Sequence, residues 1–244
     1  MNLVIDQGNT VSKLAVFKAG KLIERITEPN LSAEILIPFF EKFPEINNGI
    51  LSSVAEFDQD VPVFLKSKLK KFINLNSETN IPIKNTYGTK ESLGYDRIAD
   101  AVGAYSLFQG FNVLIIDAGT AITIDLLTKN GEFYGGNISP GLDLRFRVLH
   151  EQTKKLPLIS KSETFPILGK TTEEAILAGV MNGVVFELDG YIDILKKQFP
   201  ELKIILTGGD INYFDKKLKN SIFANPNLNL TGLNRILEYN VENY

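Results

Sequence analysis

The sequence contains no cysteine. That excludes disulfides, thiolate zinc sites and a cysteine nucleophile, although it does not by itself fix a compartment. Histidine is almost as scarce. His150 is the only one, so a Ser-His-Asp triad would have to be built around it, and it reads better as an exposed surface residue. Excess positive charge is missing too. Lys and Arg number 26 against 29 Asp and Glu, a formal net charge of −3 with a pI of about 5.4, which removes the electrostatic footprint expected of a nucleic-acid binder. The opening MNLVIDQGNT lacks a basic n-region, and its apolar run breaks at Asp6, so it does not read as a signal peptide. No stretch approaches the roughly 18 apolar residues of a membrane span. What remains is a cytoplasmic enzyme with neither nucleic acid nor membrane as partner. Its 244 residues suit one large domain or two ordinary ones, and 44% hydrophobic with 23% charged residues is usual for a globular chain.

Two segments resemble one another. NLVIDQGNT at 2–10 and NVLIIDAGT at 112–120 each run from a β-branched apolar stretch through Asp into a Gly-containing turn and Thr. Strand candidates follow both: 12–17 and 121–127, then 21–26 after Ala19-Gly20 and 133–138 after Asn130-Gly131. Asp6 and Asp117 stand close to half the chain apart. The pattern predicts an ancient duplication: an α/β protein of two side-by-side domains, 1–112 and 113–244. Helices are expected at 31–43, interrupted by Pro38, and at 61–72, with Lys66, Lys68, Lys70 and Lys71 as a solvated face. Further helices are expected at 97–108, at 172–197 behind a Thr/Glu capping signal, and from about 232 onward. Strands are expected at 49–54 and 202–206. Residues 140–168 carry no clear pattern.

Five constellations carry candidate chemistry. Asp6-Gln7-Gly8-Asn9-Thr10 with Lys13 suits a Mg²⁺–phosphate site, since Gly admits phosphates to the backbone, Thr and main-chain N–H groups donate, and Asp orients the metal. An ordinary hairpin could carry the same letters. Asp117-Ala118-Gly119-Thr120, with Thr123 beyond it, repeats the theme, and paired loops of this kind can grip a triphosphate between two domains. Asp125 on the following strand reads as hairpin-stabilising. Thr207-Gly208-Gly209-Asp210 ends a buried strand, as a flat surface for an adenine or as a bare tight turn. In Tyr87 to Arg97, Asp96 reads either as the N-cap of the next helix or as a general base for a substrate hydroxyl. Arg97 reads as a substrate-carboxylate partner or an exposed first-turn residue, and Tyr87 as a pocket wall. Gly135-Gly136 through Pro140-Gly141-Leu142 demands special backbone geometry, as a loop over the site or a structural corner. Lys154 and Lys155 are simply solvated.

Taken in order, these motifs resemble the type III pantothenate kinase family. The match also takes in TEEAILAG at 172–179. Lys90 stands where that family usually has Pro, and Ile98 where an aromatic residue often follows the Asp-Arg pair. The resemblance implies two tandem ribonuclease-H-like domains of the actin-like ATPase type with the active site in the cleft between them, the last helix (about 232–244) being able to pack back on the first domain. It implies a homodimer that phosphorylates pantothenate with ATP, the first step of coenzyme A synthesis. Asp96 would be the general base. Asp6, Gln7, Gly8, Asn9, Thr10, Lys13 and Thr120 would hold ATP, with Asp6 organising Mg²⁺ through water. Asp117 would hold a monovalent cation, K⁺ or NH₄⁺. Tyr87, Gly94, Tyr95, Asp96, Arg97 and Thr172 would surround pantothenate, Thr172 from the other subunit. Two rivals stand beside this reading: a related kinase with another hydroxylated substrate, and a non-catalytic ATP-binding regulator. The three carboxylates Asp6, Asp96 and Asp117 argue against the second.

Overall fold

A computed structural model of the chain describes residues 1–8, 11–53 and 60–242. It has two compact units. The first comprises Met1–Gln109, Gly131–Phe133 and Asn227–Tyr244, and the second Gly110–Asn130 and Tyr134–Pro226.

The first unit is built on β1 (Asn2–Gln7), β2 (Ser12–Lys18), β3 (Lys21–Glu28), β4 (Asn48–Ser53) and β5 (Lys71–Asn74), in the order β3-β2-β1-β4-β5. β1 runs antiparallel to β2 and parallel to β4. Leu3, Ile5, Leu14, Val16 and Leu51 bury one sheet face under α1 (Ala33–Lys42) and α2 (Asp60–Lys68). α1 continues through Pro38 instead of being interrupted there. Leu36 and Phe39 on either side of the proline are buried, and that packing offsets the hydrogen bond the ring removes. α2 stops at Lys68, short of the expected helix end. Lys71–Asn74 instead pairs in parallel with β4, so ladder formation overrides helical spacing, and Lys70 and Lys71 leave the helix face. Val54 lies outside the described residues. The two-residue β6 (Lys84–Asn85) and a 3₁₀ turn at Lys90–Ser92 lead to α3 (Tyr95–Leu107). The last helix of the chain packs on α3, β1 and β4.

The second unit repeats the plan with β7 (Val113–Ala118), β8 (Ala121–Leu127), β9 (Glu132–Pro140), β10 (Lys203–Thr207) and β11 (Phe223–Ala224), ordered β9-β8-β7-β10-β11. β7 is antiparallel to β8 and parallel to β10. Both sheets therefore have the same 3-2-1-4-5 order, that of a ribonuclease-H-like unit. The first residues of β9, Glu132 and Phe133, pair with β6 and count with the first unit. The stretch left without a pattern forms α4 (Leu142–Glu151) and a long irregular segment, followed by α5 (Thr172–Gln198). Phe146, Met181, Val184 and Leu188 from these helices cover Leu114 and Ile116 of β7. The capping signal is formed by Thr171, whose Oγ1 accepts from the Glu174 N–H at 3.2 Å. Contrary to expectation, α5 is long and apolar enough to cross a membrane, but 56% of its most apolar window is buried within the protein, as in a core helix. The short α6 (Ile211–Phe214) and α7 (Leu228–Glu242) complete the chain, α7 starting four residues before the expected 232 because Leu228 and Leu230 are themselves buried.

Candidate active site

In the first unit, Asp6 stands near the C-terminal end of the central strand β1, directly opposite Lys13 of β2. The Asp6 side chain is only 14% exposed and lies 3.8 Å from the Lys13 ammonium. Burial pushes its carboxyl up to about 6. Lys13 pulls the other way, and the nearby Asp96 charge adds to the rise. Gln7 accepts a hydrogen bond from Ser53 at 3.1 Å, and the Gly8 N–H closes the turn on the Val11 carbonyl at 3.1 Å. Asn9 and Thr10 lie outside the described residues.

Asp96 is not the N-cap of α3. The helix starts at Tyr95, Gly94 is its cap, and no side chain caps it. Asp96 instead lies in the first turn, where its Oδ1 accepts from the Arg97 N–H at 2.8 Å. A Cβ at Gly94 would lie 2.3 Å from that oxygen, so Gly94 is what lets the carboxylate fold back over the helix start. The Asp96 carbonyl accepts from the Asn229 amide at 3.3 Å. Arg97 is not an exposed first-turn residue either. It is 5% exposed, and its guanidinium stacks against Tyr87 and Phe133, 5.3 and 5.6 Å from the ring centroids. The two rings meet edge to face at 6.1 Å. Phe133 was missed in the sequence because only the β6–β9 pairing, which has no local signature, brings it beside Tyr87.

In the second unit, Asp117 lies near the end of β7, opposite Thr123 on β8 and Thr207 on β10. The Gly119 N–H closes the hairpin on the Ala121 carbonyl at 3.0 Å, and Thr120 at its tip is exposed. Two glycines press on this loop. A Cβ at Gly141 would meet the Gly119 and Thr120 carbonyls at 2.0 and 2.6 Å. One at Gly208, whose φ is +97°, would meet the Ala118 carbonyl at 2.2 Å and Asp117 Oδ1 at 2.4 Å. Gly135 and Gly136 belong to β9, and Pro140-Gly141 makes the corner into α4, so this constellation is a strand and a corner rather than a covering loop. Asp125 is buried on β8. Asp210 accepts from Lys161, which also reaches Asp143. Burial works against the Lys161 charge, but these two carboxylates outweigh it and raise its pKa. Burial pushes the Asp210 carboxyl up despite Lys161. Thr172 opens α5 in an exposed position. His150 is exposed, its Nδ1 2.8 Å from the Leu156 carbonyl oxygen.

Among the described residues, no group of three or more His, Cys, Asp or Glu could enclose a metal. Mg²⁺ needs no such group, being usually held by one or two carboxylates together with water and substrate phosphates. Asp6, buried and short of positive charge, fits such a role. Asp117, with the Ala118 carbonyl beside it at the Gly208 contact, offers the oxygen ligands a hard monovalent cation takes.

The family model for type III pantothenate kinases matches residues 2–194. The chain belongs to that family. A type III pantothenate kinase from Phocaeicola vulgatus is 45% identical over 240 residues, covering 98% of this chain and 99% of that protein. Two solved structures bear on the fold alone. One, from Campylobacter jejuni, is assigned to the Baf family of transcriptional activators. It has 24% identity and a TM-score of 0.61, with 98% of this chain and 99% of that chain covered. The other is glucokinase from an Antarctic psychrotroph, at 13% identity and a TM-score of 0.53, with 98% of each chain covered. The chain thus has the actin-like kinase fold of two tandem ribonuclease-H-like units.

Proposed function

We propose that the protein transfers the γ-phosphoryl group of ATP to the primary hydroxyl of pantothenate, giving 4′-phosphopantothenate and ADP, the first step of coenzyme A synthesis. One observation carries this reading. The family match spans residues 2–194 and takes in every site residue named from Asp6 to Thr172.

Within it, the first unit prepares the acceptor. Asp96, fixed by the Arg97 N–H and given room by Gly94, takes the proton of the pantothenate hydroxyl as its oxygen bonds to the γ-phosphorus and the bond to ADP breaks. Tyr87 and Arg97 form a rigid aromatic–guanidinium wall, and Arg97 is the partner for the pantothenate carboxylate. Tyr95 and Gly94 complete that wall, and Thr172 is the further contact. Asp6, Gln7, Gly8, Asn9, Thr10, Lys13 and Thr120 are the residues that address the phosphates. Asp6 would hold Mg²⁺ through water and Asp117 would hold K⁺ or NH₄⁺, and these cations would supply charge neutralisation at the triphosphate.

The assembly we propose is a homodimer. α5 presents Phe186 and Ile194 to solvent. At helical spacing on the same side, Gly179, Gly183 and Gly190 have open space where a Cβ would be. Beside them is a groove of about 420 Å³ lined by Leu144, Val148 and Ile176. A second copy of this apolar face is its natural cover, and a light-scattering mass of one chain would remove this part of the proposal.

The test of function is ADP release in Mg²⁺ and K⁺, with and without pantothenate. Release that requires pantothenate is expected. Folded protein that releases no ADP with pantothenate, but does so with another alcohol, would replace the substrate.

A further inference from the structure

Lys161 belongs to the irregular segment between α4 and α5, and no sequence pattern marks it. Its Nζ lies 2.7 Å from Asp210 Oδ1 and 2.6 Å from Asp143 Oδ2, and 5.5 Å from the Tyr213 ring centroid. Each carboxylate belongs to an element that grips the Asp117–Thr120 loop. Asp143 follows Gly141 by two residues at the start of α4, and the Gly141 N–H donates to the Thr120 carbonyl at 3.0 Å. Asp210 ends the Gly208-Gly209 turn, and its own N–H donates to the Ala118 carbonyl at 2.9 Å. The loop is therefore held from two sides, and a single ammonium joins the two holders. The two ion pairs differ in strength. Asp143 is 66% exposed, so its pair contributes little. Asp210 is 7% and Lys161 23% exposed, so that pair is shielded from water, and removing the ammonium would strand a buried carboxylate.

We propose that Lys161 is a positioning residue for the nucleotide and cation site: it clips the Gly208–Asp210 turn to the start of α4 and so fixes the loop carrying Asp117 and Thr120. Its side chain is taken up by Asp143 and Asp210 and acts through them, not on a ligand. The inference rests on the kinase reading above and deepens it.

The test is calorimetric titration of Mg-ATP without pantothenate, followed by steady-state kinetics, on the wild type, Lys161→Met, Lys161→Arg and the double variant Lys161→Met/Asp210→Asn. Lys161→Met should weaken ATP binding by about tenfold and raise the K⁺ concentration for half-activation by a similar factor, with the KM for pantothenate unchanged. Lys161→Arg should recover most of both. The double variant leaves no stranded charge and so keeps its fold, yet it should still bind ATP more weakly than wild type. A double variant that binds ATP and responds to K⁺ like wild type overturns the inference while leaving the kinase reading intact. So does a Lys161→Met protein whose two KM values and melting temperature all move together. A wild type that binds no ATP overturns both.

Discussion

The two Asp-Gly-Thr hairpins share a sheet order and a sequence pattern, but they hold their aspartates by different physics. In the first unit Asp6 is enclosed, and its environment is electrostatically poor: one ammonium at 3.8 Å and a second carboxylate, that of Asp96, close enough to push its pKa up. In the second unit the fixing is steric. Gly141 and Gly208 bring backbone against the Asp117–Thr120 loop at distances no side chain would tolerate. By contrast, a Cβ at Gly8 would meet the Val11 carbonyl at 3.3 Å, a tight contact that a small shift relieves. One hairpin concentrates unfavourable charge around a buried carboxylate. The other is a rigid holder. The two sheets share a topology and fix their aspartates in different ways.

The largest effect should come from the charged half. Asp96→Asn keeps the size of the side chain and removes the carboxylate proposed as the proton acceptor. Turnover should fall by about 10²–10⁴-fold, while circular dichroism and ATP affinity stay near wild type. Near-native kcat in this variant would remove Asp96 from the chemistry. The steric half should fail differently. Gly208→Ala forces a Cβ into the Ala118 carbonyl and Asp117 Oδ1 at a φ of +97° and should cost roughly 3 kcal/mol of stability, read as a fall in melting temperature of about 5–10 °C. Gly8→Ala should cost less than about 1 kcal/mol. Equal losses at the two glycines would erase the distinction between the hairpins.

Much of this was legible from local pattern. The paired strand-Asp-Gly-Thr segments, the capping signal before α5 and the buried strand into Gly208-Gly209 are all short-range features, and short-range features set hairpins and caps. What escaped was non-local. The helix expected through Phe72 gives way to β5 because β4 offers a free edge, which no spacing within 61–72 records. Asp96 could be read as an N-cap or as a general base because aspartate favours caps, and the cap alternative falls away because the helix begins one residue earlier, with Gly94 as its cap. For Arg97 the exposed first-turn alternative falls away, since Tyr87 and Phe133, far apart in sequence, converge on it. Lys161 had no signature at all, since its partners Asp143 and Asp210 are far from it in the chain.

The smallest of the effects sharpens the comparison most, because it separates stability from activity at one atom. The Asp6 carboxyl is raised from 3.8 to about 6 in the folded protein. The folded state therefore holds its proton more tightly than the unfolded chain, and folding is favoured at low pH. As pH rises from about 4 to about 6, the folded state must ionise a buried group, and stability is lost across that window. A shift of about two units corresponds to about 2–3 kcal/mol. Asp6→Asn removes the charge and the cost. Without Mg²⁺ and ATP, its stability gain over wild type should be near zero at pH 4, grow through pH 5, and level off above pH 6. Losing the Lys13 pair offsets little of this, because Lys13 is 30% exposed and 3.8 Å away. The same variant should lose kinase activity if Asp6 orients Mg²⁺ as proposed. Asp96→Asn should narrow the window from the other side by removing the neighbouring charge that helps raise the Asp6 pKa. A stability difference between Asp6→Asn and wild type that does not vary from pH 4 to pH 8 would mean that Asp6 is held as comfortably as any surface carboxylate, and the contrast between the hairpins would reduce to their glycines.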